Sequence, residues 1–175
     1  MDDPTRAALA ARVARLREAV DGVAWVAPEN LHLTLKFLGG VDVARLALVR
    51  DALDSAVRGC PAFDFGVAGL GAFPTPTRAR VIWAGAGQGG PELQALAGRV
   101  DRALAAVGFA PEERAFSPHV TLGRMRDPRR NDRLADLLDR SETFGRIRVD
   151  RLSLMRSDLS PHGARYSELS AHLLG

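Results

Sequence analysis

The sequence predicts an α+β fold of two pseudo-symmetric lobes, each an antiparallel sheet with helices outside, together forming a single domain over residues 1–175. Three observations lead there. Helical and strand-like periodicities alternate along the chain, and no Ser-rich linker or composition shift divides it. Two short segments, Leu31-His32-Leu33-Thr34-Leu35 and Pro118-His119-Val120-Thr121-Leu122, repeat one pattern 87 residues apart. Each repeat lies in an apolar run that precedes a helical segment. Strand side chains alternate faces, so His and Thr two residues apart share a face while Leu33, Leu35, Val120 and Leu122 turn into a core. Two such strands would present both motifs to a central cleft.

The elements follow in order. Residues 4–20 read as a helix, with Pro4 near its start and Leu9, Val13, Leu16 and Val20 spaced four, three and four apart. Residues 23–27 are a short strand candidate, and Pro28-Glu29-Asn30 is a turn. The first motif strand spans 31–38 and stops at Gly39-Gly40. Residues 42–58 return to helical spacing through Leu46, Val49, Leu53 and Val57. Phe63, Phe65 and Val67 alternate as a strand, and the glycines and prolines of 69–76 read as a loop. Residues 79–85 form a strand carrying Trp83, and 91–107 a helix. The second motif strand is 117–125, followed by a helix at 130–140, a long strand at 144–156 and a last strand at 164–173.

The composition narrows the class. Apolar residues make up 46% and charged residues 26%, which suits a packed globular chain. No apolar stretch approaches the ~18–20 residues needed to span a bilayer, and the polar start Met1-Asp2-Asp3-Pro4 does not read as a signal peptide. Cys60 is the single cysteine, so neither an internal disulfide nor a cysteine metal cluster can form. A cytoplasmic monomer is expected, with no membrane association. The net charge is +3, and Lys36 is the only lysine among 24 basic residues. The arginine excess fits GC-rich coding. The local run Arg124, Arg126, Arg129, Arg130, Arg133 could also follow a nucleic-acid strand.

Two histidines on otherwise apolar strands are costly to bury unless they are bonded or functional. One neutral and one protonated imidazole on opposite sides of a phosphorus can open a cyclic phosphodiester, since water must lose a proton and a ribose oxygen must gain one. Thr34 and Thr121 could donate to the non-bridging oxygens as negative charge builds there. No metal or other cofactor is expected, because no His, Asp or Glu set has ligand spacing. His162 and His172 read as surface residues.

The chain resembles the 2H phosphoesterase superfamily, in particular the RNA 2′,3′-cyclic phosphodiesterases historically called 2′-5′ RNA ligases. The matching stretches run from Asn30 through His32, Thr34 and Lys36 to Gly39, and from Phe116 through His119 and Thr121 to Arg124. Segments 80–85 and 163–166 are also similar. The resemblance implies metal-independent hydrolysis of RNA 2′,3′-cyclic phosphate ends to 2′-phosphates, with His32 as general acid and His119 as general base. The resemblance also implies a possible reverse 2′-5′ RNA ligation, the joining of a 5′-hydroxyl to a cyclic phosphate, which is the reverse of 2′-5′ strand cleavage. The implied partners are RNA or nucleotides ending in a 2′,3′-cyclic phosphate. Family members usually open with a short apolar strand, and here the sequence starts at the first helix, so that strand is expected to be missing. A 2′-5′ oligonucleotide phosphodiesterase and a non-catalytic nucleotide- or RNA-binding module are the alternatives.

Beyond the paired motifs, Lys36 shares the face of His32 and Thr34 and is a candidate cleft residue. Trp83 and Tyr166 are candidates for base stacking, whereas Phe37 has core parity. Arg124 has parity opposite to His119 and reaches a phosphate only if its strand twists or bulges. Arg126, Arg129 and Arg130 complete the candidate set.

Overall fold

The computed structural model describes residues 1–160 and 163–175. Along the chain the first elements are α1 (Asp3–Ala19), β1 (Val23–Trp25), α2 (Leu46–Val57), β2 (Phe63–Phe73), β3 (Val81–Ala86) and α3 (Gly90–Ala106). They are followed by β4 (His119–Met125), α4 (Asp132–Leu137), β5 (Thr143–Val149), β6 (Arg151–Ser160) and β7 (Gly163–Leu173). Two compact units share these elements. The first takes residues 1–33, 64–90 and 118–147, and the second takes 34–63, 91–117 and 148–175. The units are therefore interleaved in sequence, and both His32 and His119 belong to the first.

In the first unit β1-β4-β3-β2-β5 form one sheet, in that order. Asp2 caps α1 by accepting the Thr5 N–H at 3.2 Å, with Pro4 in the opening turn where its missing N–H costs nothing. The predicted stripe Leu9, Val13 and Leu16 is buried. Ile82 and Ala84 of β3, Val120 and Leu122 of β4, and Leu70 of β2 are fully buried on the sheet. Arg12 of α1 donates to the Glu142 carboxylate at 2.8 Å and to the Leu137 carbonyl at 2.7 Å, which ties the helix to the end of α4 and the approach to β5.

In the second unit β6 and β7 form a two-stranded antiparallel sheet. Its core gathers Val49, Leu53 and Val57 of α2, Leu96, Val100 and Leu104 of α3, and Leu152 and Leu154 of β6. Leu35 and Leu38 pack against that core.

Several expectations change. The stretch 31–38 is not a continuous strand: its one ladder contact is an isolated antiparallel bridge, Leu33 to Val120. Apolar alternation needs a partner strand to become a ladder, and beyond Leu33 the chain passes into the second unit. The predicted loop at 69–76 is largely strand, because β2 continues to Phe73 with Gly69 placed in a bulge at φ 74°. The long strand expected at 144–156 breaks at Asp150, with β5 in the first unit's sheet and β6 in the second's. Phe37 is 76% exposed rather than core, since the irregular backbone around it does not keep strand alternation.

His172 is buried at 3% exposure, not a surface residue. Its Nδ1 meets Asp54 Oδ1 at 2.6 Å and its Nε2 meets Ser170 Oγ at 2.9 Å, so burial leaves neither ring nitrogen unbonded. His162 lies outside the described residues. Among the described residues no helix is long and apolar enough to cross a membrane.

Candidate active site

The site grows from the edge of β4. β1 runs antiparallel along that edge, with Val23 opposite Met125 and Trp25 opposite Gly123. Val26 then donates its N–H to the Leu122 carbonyl at 2.9 Å. Pro28–Asn30 form a 3-10 turn that lifts the chain away. Leu31 plugs into the core at 3% exposure, and Leu33 returns to bridge Val120. Directly opposed residues of an antiparallel pair point to one face. The bridge therefore sets His32, the residue before Leu33, against Thr121, the residue after Val120. On β4 itself His119 and Thr121 are two apart and share that face.

His32 is exposed, and its ring is oriented by its own turn. Nδ1 lies 2.6 Å from the Asn30 carbonyl oxygen. A carbonyl can only accept, so Nδ1 carries the hydrogen. His119 is half-buried, with its ring edge-on to Phe73 at 5.2 Å between centroids and an interplanar angle of 84°. Phe73 also packs at 5.2 Å against Trp83, which pairs in register with Thr121. The indole of Trp83 lies over Gly71, where any Cβ would collide with the ring. Glycine at 71 thus leaves room for the large ring of Trp83, the register partner of Thr121. Trp83 is half-buried, and its Nε1 has no hydrogen-bond partner among the described residues.

The register between β3 and β4 decides where Arg124 points. Trp83 pairs with Thr121, but Ile82 pairs with Gly123, so Leu122 is an extra residue in a bulge. Val81 then pairs with Arg124. Because Val81 and Trp83 are two apart on β3, the bulge puts Arg124 on the face of Trp83, Thr121 and His119. The bulge on which the reach of Arg124 depends is present.

The sequence model of the 2′-5′ RNA ligase superfamily matches residues 5–161, nearly the whole chain. The chain belongs to the 2′-5′ RNA ligase superfamily. A curated relative from Methanothermobacter thermautotrophicus, named RNA 2′,3′-cyclic phosphodiesterase, is 37% identical over 162 residues, covering 91% of this chain and 86% of the relative. The fold is similar to that of TT0787 of Thermus thermophilus, with a TM-score of 0.82 and 28% identity over 99% of this chain and 93% of the other. It is also similar to E. coli LigT complexed with 3′-AMP, with a TM-score of 0.73 and 26% identity over 99% and 94% of the two chains.

Other candidate residues of this 2′-5′ RNA ligase superfamily member fall in different places. Thr34 is half-buried and opens the first stretch of the second unit. Lys36 is not an open cleft residue: its side chain is 5% exposed, and its ammonium is engaged by Asp101 and the Ala110 carbonyl. Tyr166 lies on β7 opposite Ser157, 38% exposed, in the second unit. Arg126 is exposed just beyond β4 and bonds its N–H to the Gly22 carbonyl. Arg129 clamps the Asp127 carboxylate, and Arg130 holds Asp132 at 3.0 Å, which raises the Arg130 guanidinium above its usual range. Phe73 was missed by sequence reasoning because it stood in a predicted loop. Its place two residues after Gly71, on the regular part of β2 beyond the bulge at Gly69, was the available signal.

Proposed function

We propose that this chain hydrolyses RNA 2′,3′-cyclic phosphate ends to 2′-phosphates through His32 and His119, without a metal. The observation that supports the reading is the bridge between Leu33 and Val120, whose antiparallel register gives His32 the position opposite Thr121, on the face of β4 that carries His119. His119 takes a proton from water as the water oxygen bonds to phosphorus. The bond from phosphorus to the 3′ oxygen breaks, and His32 Nε2 supplies the proton that this oxygen gains. Thr34 and Thr121 donate to the non-bridging oxygens, where charge accumulates, and donors fixed in advance need not reorganise. The split into acid and base rests on the family resemblance, as does the 2′-phosphate product. Nδ1–H of His32 bonded to Asn30 supports an acid delivering its proton from Nε2. With a 5′-hydroxyl in place of water as nucleophile, the same groups would open the cyclic phosphate into a 2′-5′ linkage, which accords with the family description.

Arg124 is the cation best placed to meet the phosphate, since the bulge at Leu122 turns it to the same face. Trp83 and Phe73 form an aromatic wall beside His119 on which a base or ribose can rest. The deciding experiment assays purified protein, with EDTA, on 2′,3′-cyclic, 2′-5′-linked and 3′-5′-linked substrates. Opening of the cyclic phosphate alone, to the 2′-phosphate, is the expected result. Cleavage confined to 2′-5′ linkages would reassign it as an oligonucleotide phosphodiesterase. Binding without turnover would make it a nucleotide-binding module.

A further inference from the structure

The chain has 24 Lys and Arg residues, and Lys36 is the only lysine. It stands two residues after Thr34 in a stretch with no strand ladder after the bridge at Leu33. Backbone pairing therefore does not hold Thr34 in place, and other contacts must. Lys36 supplies them. Its Nζ donates to Asp101 Oδ1 at 2.5 Å and to the Ala110 carbonyl at 2.7 Å, with Glu112 Oε1 at 3.7 Å. Asp101 sits on α3 and also accepts the Glu112 N–H at 3.1 Å, so one carboxylate joins the lysine to the helix and to the segment beyond it. The Lys36 ammonium holds the Asp101 carboxyl below the usual aspartate range. An ammonium is a compact charge with three donors, which suits two oxygens converging on a buried point. The wide planar fork of arginine does not. Leu35 and Leu38 pack into the second unit's core on either side. The segment after Thr34 is thus anchored by apolar packing and by the ion pair of a buried lysine side chain with a half-buried aspartate.

We infer that Lys36 is a positioning residue: its pair with Asp101 takes the place of the missing ladder and holds Thr34 ready for the reacting phosphate. The inference rests on the proposed reading of Thr34 as a phosphate donor. It gives the ordering of that donor to a lysine that does not itself meet substrate.

Two variants and two readouts test it. In Lys36→Met, kcat on a 2′,3′-cyclic substrate should fall roughly 10- to 100-fold, as expected for a misplaced transition-state donor, while KM moves by less than about threefold. Without substrate, the backbone order parameters of residues 34–38 should fall from a rigid value of about 0.85 to below about 0.6. In the double variant K36M/D101N the half-buried carboxylate is no longer left without its cation, so Tm should recover towards wild type while kcat stays low. Three results would each overturn the inference: kcat of K36M within about twofold of wild type, unchanged order parameters over residues 34–38, or a kcat in the double variant that recovers in step with Tm. A wild-type protein inactive on every substrate would sink the functional reading instead, and the order parameters alone would then decide this one.

Discussion

His32 stands opposite Thr121 because Leu33 and Val120 share a single antiparallel bridge. The imidazole of one motif and the hydroxyl of the other are therefore assigned facing register positions by one backbone contact. Two segments 87 residues apart in sequence depend on it.

Removing either imidazole should separate chemistry from folding. His32 is exposed and His119 half-buried, so neither anchors the core. We expect His32→Ala and His119→Ala to keep the wild-type circular dichroism and to lose roughly 10²–10⁴-fold in turnover of a 2′,3′-cyclic phosphate, the usual size of a general acid–base contribution. The profile of kcat/KM against pH should be bell-shaped in wild type and lose one limb in each variant. Near-full activity in either variant would remove the two-histidine mechanism.

Gly71 should tolerate no side chain. A Cβ there would run into the Trp83 indole, which is itself packed against Phe73. Gly71→Ala must displace the ring, at a cost of about 1–3 kcal/mol typical of overpacking. Urea denaturation would measure it, and the double variant Gly71→Ala with Trp83→Leu should recover much of the loss. An undiminished midpoint in Gly71→Ala would mean that the indole does not rest there.

The arginines should divide by location. Arg124 shares the face of His119 through the bulge at Leu122, whereas Arg129 and Arg130 are committed to Asp127 and Asp132. Arg124→Gln should weaken kcat/KM on a cyclic mononucleotide. Arg129→Gln and Arg130→Gln should leave it nearly unchanged. If Arg129 and Arg130 follow an RNA strand, their loss should reduce the salt slope of oligonucleotide binding by about 0.7 for each phosphate contact. Identical slopes for mononucleotide and oligonucleotide, unaffected by these changes, would restrict the basic run to solvating a loop.

The ion pair of Lys36 and Asp101 predicts a pH dependence of stability. Asp101 is held below its ordinary 3.8, chiefly by the hydrogen bond from Lys36. A carboxyl whose folded pKa is depressed binds fewer protons folded than unfolded. Its stabilisation is complete above the unfolded value and disappears as pH falls through the folded one. Thermal melts below about pH 4 should therefore drop more steeply in wild type than in K36M. Parallel acid limbs in the two proteins would remove the pair's contribution.

The sequence by itself determined the repeated His-x-Thr motifs and the helical stripe Leu9, Val13, Leu16. It also determined the buried face of β4 through Val120 and Leu122. These are local facts, set by periods of two and 3.6 along a few residues. Tertiary structure decided the rest. Whether 31–38 forms a ladder depended on a partner strand, and only Leu33 finds one. Lys36 lies an even number of residues from His32, yet Asp101 and Ala110, more than sixty residues away, draw its ammonium into a buried pair. His172 looked like a terminal surface residue until Asp54 of α2 met its ring. Arg124 faces the site because one extra residue in β4 reverses the alternation, and a bulge exists only relative to the neighbouring strand. Each of these outcomes depends on a contact distant in sequence, and such contacts leave no period for the chain to display.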